Sequence, residues 1–452
     1  MKKNNTILIQ ACAIALLGFT VHTVQAANSA GLSDIYQMAV NHDAQLAQQR
    51  AQYEASKENA KSVKAGLLPN ISGDASYFAN NSNVDLQDVA TRELSVTLNQ
   101  PLYNKSLWSR FEQAKYVTEQ AKSSLQNAEQ ELILRVANAY FKVLLAQEDV
   151  ALSNAQEKAD KLQWDRAEAS AEVGLGSRSD VLQAKSSYDL TKSQRIQAEN
   201  NLDVAFEELM KLTGKPVTSL KSLQADAVLP NESFNMDEWV ARSEQENLLV
   251  KQVEAQLKTA TEEVTAQKAG HWFTANLQAK VSDTDYSNHK NSLAFNDNTG
   301  TRIGVNVNLP LYAGGGVAAK VSEARYQQTS AQEALRDSRE QARLNARIQV
   351  RNVERGESLI AALQEAVRSN SSFLEAAEEG YKVGLQNLLE VLTARSNLFN
   401  AQRNLTEAMH SQVLNRLNLE ATVGDLTAED LLQYDAILTT QTSYQTPSEA
   451  LN

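Results

Sequence analysis

The sequence predicts a mixed α+β membrane protein in which long coiled-coil helices join a few β-strands, all built twice over. Three observations predict it. The chain repeats itself at a shift of about 210 residues. Residues 106–172 carry no proline or glycine and keep a coiled-coil period. Four short segments alternate apolar and polar side chains, as strands with one greasy and one wet face do.

The repeat is read from matched segments. Val173-Gly174-Leu175 returns as Val383-Gly384-Leu385, and Pro101-Leu102-Tyr103 as Pro310-Leu311-Tyr312. Asp180-Val181-Leu182-Gln183-Ala184 returns as Glu390-Val391-Leu392-Thr393-Ala394. Residues 1–26 read as a secretory leader: Lys2 and Lys3, an apolar stretch from Ile7 to Phe19, and Val24-Gln25-Ala26 as the cleavage site. Cys12, the only cysteine, lies inside it, so the mature chain has neither disulfide nor thiol chemistry. Gln10 before Cys12 suits lipoprotein cleavage poorly.

Repeat 1 spans 27–214. A helix over 32–65 is closed by Gly66, and a hairpin over 71–98 follows. Ile71, Gly73, Ala75 and Tyr77 oppose Ser72, Asp74 and Ser76; Leu94, Val96 and Leu98 oppose Glu93, Ser95 and Thr97. The long helix then steps by four and three through Leu107, Phe111, Ala114, Thr118, Ala121, Leu125, Ala128 and Leu132. A glycine turn at 174–176 reverses the chain into a helix over 178–212. A linker covers 215–235. Repeat 2, over 236–425, has a helix at 237–268, a hairpin at 273–309, a long helix at 317–380, a turn at 383–385 and a helix at 388–421. The segment 426–452 reads as a C-terminal segment whose tail, from about 434, is polar and disordered.

The full chain carries a net charge of −12, and loss of Lys2 and Lys3 makes it more acidic, which excludes nucleic acid as a natural partner. No stretch after the leader reaches the ~18–20 apolar residues of a spanning helix, so membrane residence requires a barrel. Four strands cannot close one, and open edges in lipid leave backbone groups unsatisfied. The chain must therefore assemble with copies of itself. Three copies give twelve strands, and two give eight, which would leave an interior filled by side chains. Helix lengths also match: 178–212 with 237–268, and 32–65 with 388–421, each sum to about one long helix, as in a cylinder of even length. His22, His42, His271, His289 and His410 are scattered, none at metal-ligand spacing, and no catalytic or cofactor motif is present. Trp108, Tyr103, Tyr312 and Trp272 stand at strand ends, where interfacial aromatics belong.

Two repeats, hairpins ending in Pro-Leu-Tyr, and the Tyr381-Lys382-Val383-Gly384-Leu385 turn followed by Glu390-Val391-Leu392 resemble the TolC family of outer membrane efflux proteins, from about Leu32 to Asp425. The resemblance implies a homotrimer with a twelve-stranded outer-membrane barrel, four strands per chain. The barrel continues into an α-helical coiled-coil tunnel in the periplasm. The duct works in tripartite efflux or type I secretion with a periplasmic adaptor and an inner-membrane transporter, without cofactor or metal. By the same resemblance Gly174, Leu175, Gly384 and Leu385 form adaptor-docking tips. Asp180 and Glu390 would ring the periplasmic entrance. Thr393 replaces a second family acid, which weakens that ring. Tyr381 and Asp180 match two of three gate residues that bond neighbouring coiled coils. Gln386 stands at the third, an arginine in the family, and Arg178 in the facing turn is its candidate substitute. Two readings compete: a periplasmic coiled-coil adaptor or scaffold, and a general diffusion porin. Asp180 and Glu390 also admit a plainer role, as first-turn acids that complement a helix dipole.

Overall fold

The computed structural model describes residues 29–80, 89–223, 235–287, 297–436 and 438–440; the leader and the hairpin-loop segments 81–88 and 288–296 lie outside these. Repeat 1 comprises α1 (Leu32–His42), α2 (Ala44–Ala65), β1 (Asn70–Asn80), β2 (Val89–Tyr103), α3 (Lys105–Glu172) and α4 (Arg178–Thr213), followed by a short β3 (Lys221–Leu223). Repeat 2 comprises α5 (Met236–Glu246), α6 (Leu248–Lys268), β4 (Thr274–Ser287), β5 (Asn298–Asn308), α7 (Gly316–Lys382) and α8 (Leu388–Val423). The chain ends in α9 (Asp430–Asp435) and β6 (Leu438–Thr440). With 68 and 67 residues, α3 and α7 are each about 100 Å long at 1.5 Å per residue.

Each helix read as continuous before a hairpin is in fact two. Asp43 interrupts the first and Asn247 the second, both in extended backbone. Both residues favour caps because their side chains satisfy orphan amides. Asp43 accepts from Leu46 N at 2.7 Å. Asn247 accepts from Leu249 N at 2.9 Å and donates to the Thr422 carbonyl at 2.8 Å. The breaks are where shorter helices meet end to end. A Cβ on Gly214, past the end of α4, would lie 2.5 Å from His42 Nδ1; one on Gly424, past the end of α8, would lie 2.8 Å from the Glu246 carbonyl. Both glycines have positive φ, 70° and 82°. So α4 meets α1/α2 and α8 meets α5/α6, each inside its own repeat. The cross-repeat pairing inferred from summed lengths is overturned, because lengths do not say which ends touch.

Asp43 is also gripped by Arg135 of α3, with Nη1 at 2.8 Å from Oδ2 and Nη2 at 3.0 Å from Oδ1. This guanidinium fork, together with backbone amides, holds the Asp43 carboxyl below its ordinary range against the opposing effect of burial. The stability it confers is present at neutral pH and lost as pH falls through the lowered folded value. Asp43→Ala is expected to cost about 2 kcal/mol through the lost cap and charged bond. Hydrogen exchange of the first α2 amides should rise accordingly.

The largest core lies at mid-height. Leu132, Ile133, Val136, Tyr140 and Val143 of α3 are fully buried with Leu32 and Ile35 of α1, Leu202 and Leu209 of α4, and Leu417 of α8. Each such aliphatic side chain contributes about 1.5–3 kcal/mol. The C-terminal segment joins this core, contrary to the reading of a tail from about 434. Leu431, Tyr434 and Leu438 are buried, β6 pairs with β3, and Asp435 accepts from Leu32 N at 2.6 Å, capping α1. Tyr140 OH donates to the Lys221 carbonyl at 2.6 Å, tying this belt to α3. Residues 441–452 lie outside the described residues.

The four longer strands form one antiparallel sheet in the order β1-β2-β4-β5, so β1 and β5 are its edges. Ile71 sits opposite Leu98, Leu98 opposite Ala279, and Ala279 opposite Ile303, which runs one apolar face across the whole sheet. On the other face Lys280 Nζ reaches Glu93 at 2.7 Å. Ile71 and Ile303 are 70% and 73% exposed, the wrong environment for isoleucine in water and the right one against lipid. No described helix is long and apolar enough to cross a membrane.

Candidate functional site at the helical tips and the coiled-coil seam

The far ends of the long helices turn through Gly174 and Gly384, with φ of 77° and 75°. Only glycine takes this left-handed geometry without strain, and it lets the last carbonyls be capped. Ser170 O accepts from Leu175 N at 2.9 Å and Gly176 N at 3.0 Å; Gly380 O accepts from Leu385 N at 2.8 Å and Gln386 N at 3.2 Å. The two turns are near copies. Each thrusts a leucine outward: Leu175 is 86% and Leu385 83% exposed, with Val173 and Val383 beside them.

Just past each turn a capping pair starts the next helix. Ser177 Oγ accepts from Asp180 N at 3.0 Å, and Ser177 N donates to Asp180 Oδ2 at 3.3 Å. Asn387 Oδ1 accepts from Glu390 N at 3.0 Å, and Asn387 Nδ2 donates to Glu390 Oε1 at 3.2 Å. Asp180 and Glu390 thus hold equivalent places in the two repeats and serve their own helix starts. Within one chain they already do what the plainer reading asks of them.

Tyr381 sits where the two coiled coils meet. It packs against Ala167, Ala184 and Leu388 on one side and Ala377, Val391 and Ala394 on the other. Gln386 folds back over Gly380, where a Cβ would come within 3.0 Å of its Cγ. Its Oε1 is buried with no hydrogen-bond partner among the described residues. Arg178 is exposed at the start of α4 and has no ion pair among the described residues. So no hydrogen bond joins Asp180, Tyr381 and Gln386 within a chain. Tyr381 lies at the seam and Gln386 over its own turn, whereas Asp180 and Arg178 stay at the helix start.

A charged cluster that the sequence reading missed does cross the seam. Arg395 of α8 donates to Glu378 Oε1 of α7 at 2.7 Å, and its Nη1 lies 3.9 Å from Asp160 Oδ1 of α3. Ser187 of α4 donates to Asp160 Oδ2 at 3.3 Å. Asp160 is buried. Burial pushes its carboxyl up, opposed by Arg395 and by the Ser187 and Thr191 hydroxyls. One guanidinium therefore links all four helices of the lower half. A more exposed rung, Arg403 to Asp149 at 2.8 Å, follows on the same α3–α8 seam. A signal was present in the sequence: continued four-and-three stepping from Leu132 along α3 lands on Asp149 and Asp160. An acid at a core position calls for a buried cation.

A family described as outer membrane efflux protein matches residues 35–215 and 239–425, one stretch per repeat. The chain belongs to this family. It is 32% identical over 445 residues to the outer membrane protein TolC of Salmonella enteritidis, covering 97% of this chain and 89% of that one. It is 28% identical to the proteases secretion protein PrtF of Dickeya chrysanthemi, covering 91% of each. The outer membrane channel CmeC of Campylobacter jejuni has the same fold, with a TM-score of 0.76 at 15% identity over 96% of this chain and 98% of that one. Family membership puts the sheet in the cell outer membrane and the helices in the periplasm, which sets aside the soluble-scaffold reading.

Proposed function

We propose that three copies close a twelve-stranded barrel and that the assembly is a passive exit duct for tripartite efflux or type I secretion. It receives its cargo from an inner-membrane transporter through a periplasmic adaptor, and no bond is made or broken along it. The observation that carries this reading is the open four-stranded sheet continuing directly into helices of about 100 Å. Two bare edges in lipid require partners, and helices of that length reach far into the periplasm. PrtF, a relative named for protease secretion, supports a secretion role beside efflux. A general diffusion porin has no use for helices of that length.

Leu175 and Leu385 are the docking knobs of this proposal, held up by Gly174 and Gly384. A small apolar projection suits insertion between the helices of an adaptor hairpin. Asp180 and Glu390, six carboxylates in a trimer, face the entrance beyond their capping duty. Tyr381, Gln386 and Arg178 make the contacts between neighbouring coiled coils there.

Negative-stain microscopy of detergent-extracted protein tests the assembly: a three-fold tube with a helical section near 100 Å is expected. Soluble rods without a detergent belt would remove the duct. For the tips, Leu175→Asp with Leu385→Asp should lower export at least about tenfold through the desolvation cost of a carboxylate in an apolar contact. Outer-membrane levels should stay unchanged, since both side chains are exposed and support nothing. Undiminished export would move docking elsewhere.

A further inference from the structure

At the waist lies a cavity of about 950 Å³ that a passive duct does not need. Its volume falls within the ~300–1,000 Å³ of small-molecule sites. Four pieces of the chain wall it: residues 42–45 at the joint of α1 and α2, α3, the end of α4, and α8. On α3 the lining residues Arg135, Asn138, Lys142 and Leu145 step by three and four, so they share one helix face. Tyr140 leaves by another face to meet the Lys221 carbonyl, which keeps the C-terminal belt away from the cavity. Helix α4 packs beside α3, α3 beside α8, and α8 beside α7. The cavity spans the first three, so it sits inside the chain's own helical layer. Copies that join at the outer flanks of α4 and α7 leave it uncovered.

The lining sorts into three parts. Ala139, Phe141, Leu145, Leu212 and Leu414 supply apolar surface. The charges balance: Arg135 is held by Asp43 and Lys142 by Glu208, and the cation Lys211 is offset by the carboxylate of Glu407. A ligand with net charge of either sign therefore finds no complement. The third part is His410. It is only 6% exposed, its ring lies 5.2 Å from Phe141, and its Nδ1 has no hydrogen-bond partner among the described residues. Burial lowers its pKa to about 4, so the ring is uncharged at neutral pH. A buried polar atom is unfavourable until something supplies its bond. A hydroxyl suits this one, because it both donates and accepts and so serves either tautomer of the neutral ring.

We propose that this cavity binds an uncharged aromatic molecule that carries a hydroxyl, its rings laid on Phe141, Leu145 and Leu414 and its hydroxyl bonded to the His410 ring. The volume suits a ligand of more than one ring. The site lies apart from the helical tips and from the Arg395 cluster, and it needs neither. Placed between α8 and the α3–α4 pair, a bound ligand touches both sides of the waist at once.

2-Naphthol is a probe of this class. Naphthalene lacks its hydroxyl, and 2-naphthoate carries a charge. Full-length protein in amphipol is titrated with each probe, and binding is read from probe fluorescence. Wild type is expected to bind 2-naphthol saturably and about tenfold more tightly than either relative, as one hydrogen bond to a buried group allows. His410→Phe keeps a ring beside Phe141 and removes the nitrogens. It should bring 2-naphthol down to the affinity of naphthalene and leave naphthalene unchanged. Leu145→Trp from α3 and Leu414→Trp from α8 each fill the cavity; whichever keeps the wild-type thermal transition should bind both probes at least about tenfold more weakly. 2-Naphthol binding that survives the filled cavity overturns the site. Equal affinity in wild type and His410→Phe overturns the bond to His410. A preference for 2-naphthoate overturns the uncharged class, and the absence of saturable 2-naphthol binding overturns the proposal as a whole.

Discussion

Arg395→Met is expected to move the closed-to-open balance of the duct by about two orders of magnitude toward open. Among the described residues Arg395 is the only guanidinium that reaches Asp160, which is buried on the α3 side of the seam. Breaking a buried pair by removing one partner typically costs about 3–5 kcal/mol, because the remaining charge is stranded. On the proposed duct reading, opening parts α8 from α3 and lets water reach Asp160, so much of that cost is relieved. About 3 kcal/mol of relief is a factor of about 100. Asp160→Asn added to Arg395→Met removes the stranded charge and should return most of the closed population. Single-channel recording in planar bilayers checks this: high conductance without an adaptor for the single variant, near-resting conductance for the double. Equal conductance in both would show that the cluster only packs and does not bias the gate.

The legible part of this protein was what periodicity and duplication encode. The four-and-three stepping from Leu107 to Leu132 marked a helix that the structure extends over Lys105–Glu172. Alternation marked four strands, with their ends underestimated: β2 runs over Val89–Tyr103 because β4 pairs with it along its length. Alternation cannot see a partner strand. The helix breaks at Asp43 and Asn247 were illegible for a related reason. Both residues are tolerated on a polar helix surface, and only contact with α4 and α8 ends turns them into caps. The C-terminal segment misled through its polarity, since its few apolar residues, Leu431, Tyr434 and Leu438, carry the packing. At the site, the glycine turns were plain from Gly174 and Gly384. The Asp160–Arg395–Glu378 cluster was legible only in part: the four-and-three stepping marks Asp160 as an acid on the seam, but its partners lie on two other helices and no local pattern joins them to it.

His410 should make the waist of the protein acid-labile, and His410→Gln should abolish that lability. The residue lies on α8, its ring 5.2 Å from Phe141, and its Nδ1 is buried with no hydrogen-bond partner among the described residues. It borders a cavity of about 950 Å³ that also touches the Asp43–Arg135 and Lys142–Glu208 pairs, Lys211 and Glu407. Burial lowers its pKa from 6.5 to about 4. The unfolded segment therefore takes up a proton as pH falls below 6.5 while the folded one resists until about 4. Stability contributed above pH 6.5 is lost across this window, by about 3 kcal/mol at its lower end. Other groups nearby are shifted as well. Glu148, Asp149 and Asp160 have raised values, which oppose a loss on acidification, while Asp43 has a lowered one, whose loss comes at lower pH than this window. All four are shared by wild type and variant, so the difference between the two proteins isolates His410. Hydrogen exchange of α8 amides around residue 410, followed from pH 7 to pH 4 and corrected for intrinsic rates, supplies that difference. Opening free energies that fall equally in both proteins would mean that the proton is taken up elsewhere and that His410 is an inert filler beside Phe141.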